Sequence, residues 1–401
     1  MEATMRSNAI MAAFPPTQDK QVTLANWRRH PFSTWGFRNV RQLLPTANIP
    51  RSGTPMGLPL ALGYFEDVTF EGLNGDETTV LQALRTSYTD GLLILHRGQI
   101  AWECYSNGLT PTCQHLIFSV SKSIAGTLGG ILAEHGKLDP DAAVVTYVPE
   151  LKESVYGKCT VRHLLDMNVG IQFDEDYLAV DADIVRYRLS TGWDLSDSGE
   201  QATHLRAYLQ TLKPDGTPHG HTFHYVSPNT DVLGWVYERA CGMSYSHIMA
   251  HYVWGPMGAE ADAYITVDSH GAARVAGGVC ATLRDLARFG EMMRNRGVSN
   301  GKQVVPGWWI DDIRKGGDAD AWSRGKLVAV FPNGNYRSKW YTIDRRREAF
   351  AAVGIHGQWI YVDPEDEAVI VRVSSQPLPM DLDLDRMWVR GYRAITSSLS
   401  R

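Results

Sequence analysis

A serine followed three residues later by a lysine can carry covalent chemistry. Residues i and i+3 share a helix face, and a lysine kept neutral by a buried or cationic setting can take the hydroxyl proton. Three such pairs occur, Ser119/Lys122, Ser299/Lys302 and Ser323/Lys326, where roughly one would arise by accident. Context separates them. Ser119 follows the apolar triplet Leu116, Ile117, Phe118 and opens the run SVSKSIAGTLGGILAEHGKLDP, placing its hydroxyl at the positive end of a helix, where developing negative charge is stabilised. Ser299 falls in the turn Gly297 to Gly301 and Ser323 in a polar loop, so neither is expected to share a rigid helical face with its lysine. The competing structural account of Ser119 is an N-cap serine beside a solvated lysine.

Three further signals compete with it. Gly297 to Gly301, GVSNG, has the spacing of a nucleophile elbow, but an elbow needs a strand before the serine and a helix after it; here a helical pattern precedes and the strand-like KQVV follows. His219, His221 and His224 in HGHTFHY could hold zinc, yet no second cluster supplies ligands, and a polar loop fits better. Tyr225, in FHYVSPNTDVLGW with the Ser227 hydroxyl just beyond, could act as base or proton shuttle if a cationic lysine lowered its pKa. Alone it reads first as a buried tyrosine hydrogen-bonded in the core.

These groups need a scaffold. GLLILHRGQIAWECY predicts a hairpin about His96 to Gln99, and the run after Ser119 predicts a largely buried helix stopping at Gly136. TVRHLLDM, HLRAYLQTL and NTDVLGWVYERACG predict helices, as does VCATLRDLARFGEMMRNRG with Thr282 as N-cap and Gly297 as stop. VAVFPNGNY, KWYTI and GIHGQWIYVDPEDEAVIVRVSS predict strands, the last two joined through Asp363 to Asp366, and the end MDLDLDRMWVRGYRAITSSL predicts a helix. Strands at both ends around a helical middle imply an irregular arm over residues 1–60, a discontinuous α/β lobe over 61–115 and 270–401, and a helical lobe over 116–269, with the site at the junction.

The 401 residues are long for one core and comfortable for two lobes. With 39 basic against 44 acidic residues there is no basic excess for phosphate contacts, so nucleic acid is not expected as partner. Five cysteines, odd in number and without CxxC, imply a reducing compartment. No apolar run reaches membrane-spanning length and the start has no leader pattern, so a cytoplasmic protein without membrane contact is expected. Twelve tryptophans with 17 tyrosines and 11 phenylalanines are more than packing strictly requires; they read first as a large core, and Trp193, Trp340, Tyr177 and Trp359 are the candidate wall of an acyl-binding cleft.

SVSK at Ser119, YVS at Tyr225 and GIHGQ at His356 stand in the order and at the broad spacing of the serine β-lactamase and penicillin-binding superfamily, which the chain resembles in its esterase and class C-like branch. HLLDMNVGIQFDEDY, STGW, YVSPNTDVLGW, AGGVCATLRDLARFG and GIHGQ resemble the 6-aminohexanoate-dimer (nylon oligomer) hydrolases, from Trp27 to the last strand. The resemblance implies an α+β fold, an antiparallel sheet flanked by helices plus an α-rich lobe. It implies Ser119 as acylated nucleophile, Lys122 as its activator and Tyr225 as the acid that protonates a leaving amine. His356 and Gly357 would lie on the strand that carries Lys-Thr-Gly or His-x-Gly in relatives. The oxyanion donors would be Ser119 and a residue near Gln358 or Trp359, with Tyr177 as a mobile tyrosine closing over a linear amide and Ser227 beside the substrate.

Two departures bear on substrate. Arg188 and Ala276 stand where the dimer hydrolases place Asp and Asn toward the substrate; an arginine repels an ammonium and favours a carboxylate. Asp174, Glu175 and Asp176 could replace the lost negative charge but read first as a solvated run. The expectation is a cofactor-free, metal-free serine hydrolase of linear amides or short carboxylic esters, with a homodimer left open. The alternatives are a β-lactamase or D-alanyl-D-alanine peptidase, and a catalytically weak penicillin-recognising protein.

Overall fold

Alternating apolar runs from both ends of the chain assemble a seven-stranded antiparallel sheet. The structure, a computed structural model, describes residues 10–195 and 203–399. Across the sheet the strands run Asn335–Arg337, Trp340–Thr342, Phe350–Gly354, Gln358–Asp363, Ala368–Ser374, Thr89–His96 and Gln99–Tyr105. The expected hairpin forms: His96 pairs with Gln99, and Arg97 and Gly98 both take positive φ, the conformation a two-residue turn needs to match strand twist. The link after Asp363 also forms, closing on Ala368.

Side chains alternate faces along each strand. Ile360 and Val362 enter one core, where helix Leu283–Arg294 packs so closely that a Cβ on Gly290 would meet Val369 at 2.5 Å. Trp359 and Tyr361 enter a second core under the C-terminal helix Leu382–Leu399, against Trp388 and Tyr392. Thr282 caps helix Leu283–Arg294 as expected, its side chain accepting from Asp285 N–H.

The helix after Ser119 spans Val120–Glu134 and is buried from Val120 through Leu132. Close approach explains its glycines: a Cβ on Gly126 would lie 1.9 Å from the Ser338 carbonyl oxygen, and one on Gly130 would lie 2.3 Å from the Trp309 ring. Pro228–Cys241 forms the second long helix of the middle segment, ending at Gly242 in the left-handed region.

Three elements differ from expectation. Within the arm, Thr46–Ile49 is a strand; it pairs with Ala263–Thr266 in a four-stranded sheet completed by Val279–Ala281 and His115–Leu116. Four residues whose partner lies far along the chain show no periodicity. The apolar run VAVF is not a strand: Lys326–Ala329 is a 3-10 turn, and pairing begins only at Asn335. Phe350–Gly354, which ends on the first glycine of GIHGQ, is a strand in its own right. No described helix is long and apolar enough to cross a membrane.

Candidate active site

Strand His115–Leu116 delivers the chain to Phe118, whose φ of 44° turns the backbone sharply before Ser119 opens helix Val120–Glu134. One helical turn on, Lys122 points back along the same face. Its Nζ lies 2.7 Å from Ser119 Oγ and donates to the Ala276 carbonyl at 2.6 Å. Lys122 is 1% exposed. Burial lowers its pKa to about 8, with Glu175 opposing, Arg274 assisting and Asp231 opposing, so roughly a tenth of the amine is neutral at pH 7. A neutral amine keeps its donation to Ala276 and turns its lone pair toward the serine hydroxyl.

Tyr225 completes the group, its ring 5.1 Å from Lys122 Nζ. The expected lowering of its pKa is not what the geometry produces. Burial raises it, Glu175 raises it further, and hydrogen bonding with Ser119 and Tyr341 only partly offsets this. The phenol therefore holds its proton at neutral pH and is available as an acid and donor rather than as a resting base.

Behind this triad, Asp231 accepts from the Ala276 N–H at 2.8 Å and from the Tyr187 hydroxyl. Ala276 thus contributes backbone on both sides, its carbonyl to Lys122 and its N–H to Asp231. Glu175 departs from the solvated reading: Asp174 and Asp176 are exposed, whereas Glu175 is half-buried and accepts from the Tyr177 hydroxyl and from both the N–H and the hydroxyl of Ser227. Tyr177 and Ser227 are thereby tied to one carboxylate at the rim.

The turn after Phe350–Gly354 supplies the opposite wall. A Cβ on Gly354 would sit 3.1 Å from the Ser119 nitrogen. Among the described residues the N–H groups of Ser119 and Ile355 have no backbone acceptor. A free N–H facing Ser119 is thus found at Ile355, a few residues before Gln358 and Trp359, where the second donor was expected. Gln358 spends its amide on the carbonyls of His356 and Ser374, and Trp359 packs on Tyr392 while donating to Asp385; neither lines the cleft. Gly357 does line it, at φ 82°, with its carbonyl held by the buried Arg372. His356 is buried behind the cleft, hydrogen-bonded to the Gln376 carbonyl, its ring 5.1 Å from both Phe37 and Phe118; burial pushes its pKa down to about 4, so the imidazole is neutral.

In front of Ser119 and Tyr225 lies a cleft of about 320 Å³ walled by Phe173, Phe223, Phe331 and Tyr341. Of the expected aromatic wall, Tyr177 lines it; Trp340 is stacked on Phe289 in the core instead. Trp193 lines a second, smaller recess that also opens onto Ser119 and contains Arg188, Ala276, Arg28 and Arg274. Arg28, Arg274 and Asp231 carry no signal in the sequence, whereas Glu175, inside FDEDY beside Tyr177, reads there only as a possible replacement charge.

The remaining motifs lie elsewhere. Ser299 Oγ donates to the Met257 carbonyl, and Ser323 Oγ to the Asp320 carbonyl. His219 accepts from Gly170 N–H, His221 contacts Thr222, and His224 borders the cleft, so the three rings do not converge.

Residues 81–393 match the Beta-lactamase family. Over 370 residues, covering 92% of each chain, the sequence is 36% identical to the 6-aminohexanoate-dimer hydrolase of Paenarthrobacter ureafaciens. Among solved structures, a Bacillus anthracis protein with a provisional 6-aminohexanoate-dimer hydrolase designation superposes with TM-score 0.88 at 26% identity, covering 96% of this chain and 99% of that one. A family VIII carboxylesterase shares the fold, with TM-score 0.58 at 16% identity over 84% of this chain and 99% of that one. The chain belongs to the Beta-lactamase family, with the α+β fold its motifs implied. It is a serine hydrolase.

Proposed function

We propose that this enzyme cleaves linear amides and short carboxylic esters through an acyl-enzyme on Ser119. Lys122 takes the hydroxyl proton as Ser119 attacks the carbonyl carbon. The N–H groups of Ser119 and Ile355 receive the oxyanion, and Tyr225 gives its proton to the departing amine or alkoxide. Water then attacks the ester carbonyl, giving a proton to the Tyr225 phenolate, and Ser119 leaves with the proton held by Lys122. The observation that carries the reading is the buried Lys122 amine 2.7 Å from Ser119 Oγ at the head of a helix. Linear amides enter because the 36% identical relative is named for the hydrolysis of one. The nucleophile then stands where the helical segment 116–269 meets the sheet-bearing segments 61–115 and 270–401. The test is hydrolysis of p-nitrophenyl acetate and butyrate by wild type and Ser119→Ala. Loss of turnover in the variant is expected; full retention would overturn the mechanism. Nitrocefin turnover faster than that of the esters would instead favour the β-lactamase alternative.

A further inference from the structure

The recess beside Ser119 has a charge pattern that the hydrolytic cycle does not use. Three guanidiniums border it, brought from three distant parts of the chain: Arg28, Arg188 and Arg274. Asp194 accepts from two of them, from Arg28 and, at 2.7 Å, from Arg188 Nε. Arg274 forms no ion pair among the described residues. Its guanidinium is held between the rings of Tyr187 and Trp193, at 4.5 and 4.2 Å, and donates to Thr191 Oγ1 at 3.0 Å. Arg274 is 6% exposed, and its Nε, like that of Arg28, has no hydrogen-bond partner. The carboxylates facing the group are Asp194 and, behind Arg274, Asp231, whose oxygens are engaged by Ala276 N–H and Tyr187; Glu175 is turned to Tyr177 and Ser227. Three guanidiniums face two carboxylates, and the Lys122 amine, which also borders the recess, is opposed by Glu175, so the recess stabilises an added anion and repels an ammonium.

Its position says which part of the substrate would reach it. Tyr225 borders the large cleft and not the recess, whereas Ser119 borders both. A leaving group that collects its proton from Tyr225 lies in the cleft, so the acyl chain runs the other way. The recess is small, about 30 Å³, room for a group of one or two water-sized atoms and not for a ring.

We propose that Arg28, Arg188 and Arg274 form an acyl-side carboxylate subsite, and that the preferred substrates are monoamides or monoesters of short dicarboxylic acids. The assignment rests on the acyl-enzyme reading above. Three p-nitrophenyl esters of similar acyl length test it: the glutarate monoester, the valerate and the 4-aminobutyrate, each corrected for spontaneous hydrolysis with Ser119→Ala. The expected kcat/KM is about tenfold higher for the glutarate monoester than for the valerate, and lowest for the 4-aminobutyrate. The glutarate-to-valerate ratio should fall about tenfold in Arg188→Gln and shrink with added salt. Arg28→Gln, at the more exposed edge, provides a second variant if Arg188→Gln does not fold. Equal turnover of the three esters, preference for the cationic one, or a ratio untouched by either variant would overturn the subsite. Absence of Ser119-dependent turnover for all three would overturn the acyl-enzyme reading itself.

Discussion

The two spaces that open onto Ser119 are built on different principles. The cleft on the Tyr225 side is about 320 Å³ and walled by aromatic rings; the recess on the Arg188 side is about 30 Å³ and walled by guanidiniums. The first selects by volume and apolar area, which discriminate weakly, since one methylene changes binding by only about 1–3 kcal/mol. The second selects by charge in a small, mostly buried space, where a wrong sign leaves ions unpaired. Broad tolerance for leaving groups combined with narrow tolerance for acyl charge is the pattern such a site should show.

Perturbing what the two sides share gives the largest effect. Lys122→Met should lower kcat about 10³-fold for every substrate, whatever its charge or size. The same change should raise folding stability by roughly 1–3 kcal/mol, because a lysine buried at a pKa of about 8 costs folding free energy at neutral pH. The sign follows from the lowered folded pKa: the cost is fully present below pH 8 and disappears as pH rises through the unfolded value near 10.5. Denaturant melts of the two proteins at pH 7 and pH 10 check it, and a variant less stable at pH 7 would count against the buried-lysine account.

Tyr225→Phe separates the sides. It should slow anilide hydrolysis about 10²-fold while slowing p-nitrophenyl esters only a few-fold, because nitrophenolate leaves without a proton. Equal losses on both would mean that Tyr225 does not serve the leaving-group side. Next in size is pH. Lys122 acts as base only when neutral, so kcat/KM should rise about tenfold between pH 7 and 9 around a midpoint near 8. No falling limb from Tyr225 should appear in that range, since burial holds its phenol protonated. Smallest is Phe331→Ala, which removes a cleft wall packed on Tyr341. It should raise KM for bulky leaving groups a few-fold and leave the preference among acyl charges alone; a changed charge preference would dissolve the division into two sides.

Much of the cleft side was legible in the sequence; of the recess, Arg188, Ala276 and Trp193 were, but its cluster of three arginines was not. Ser119, Lys122 and Tyr225 announce themselves because two share a helix face and the third stands in a distinctive local string. The hairpin at His96–Gln99 and the helix Leu283–Arg294 follow from turn chemistry, a cap and apolar period. The recess draws Arg28 from the arm, Arg188 from the middle and Arg274 from beyond it, and no local pattern links residues that meet only after folding. Ile355, the donor proposed here, carried no signal for a different reason: with strand Phe350–Gly354 unread, nothing marked the turn that follows it. VAVF misled because a short apolar run has no period long enough to tell strand from turn.

The glycines of helix Val120–Glu134 carry a consequence for how such an enzyme diversifies. Gly126 and Gly130 press backbone against Ser338 and Trp309, so the nucleophile is aligned from behind, by contacts that no substrate ever meets. The groups proposed to meet substrate are borrowed from the arm, from loops and from helix Asp183–Ser190, outside that alignment. Mutation can therefore rewrite the specificity rim while the reactive serine keeps its bearing, much as a lathe keeps its axis when the tool is changed.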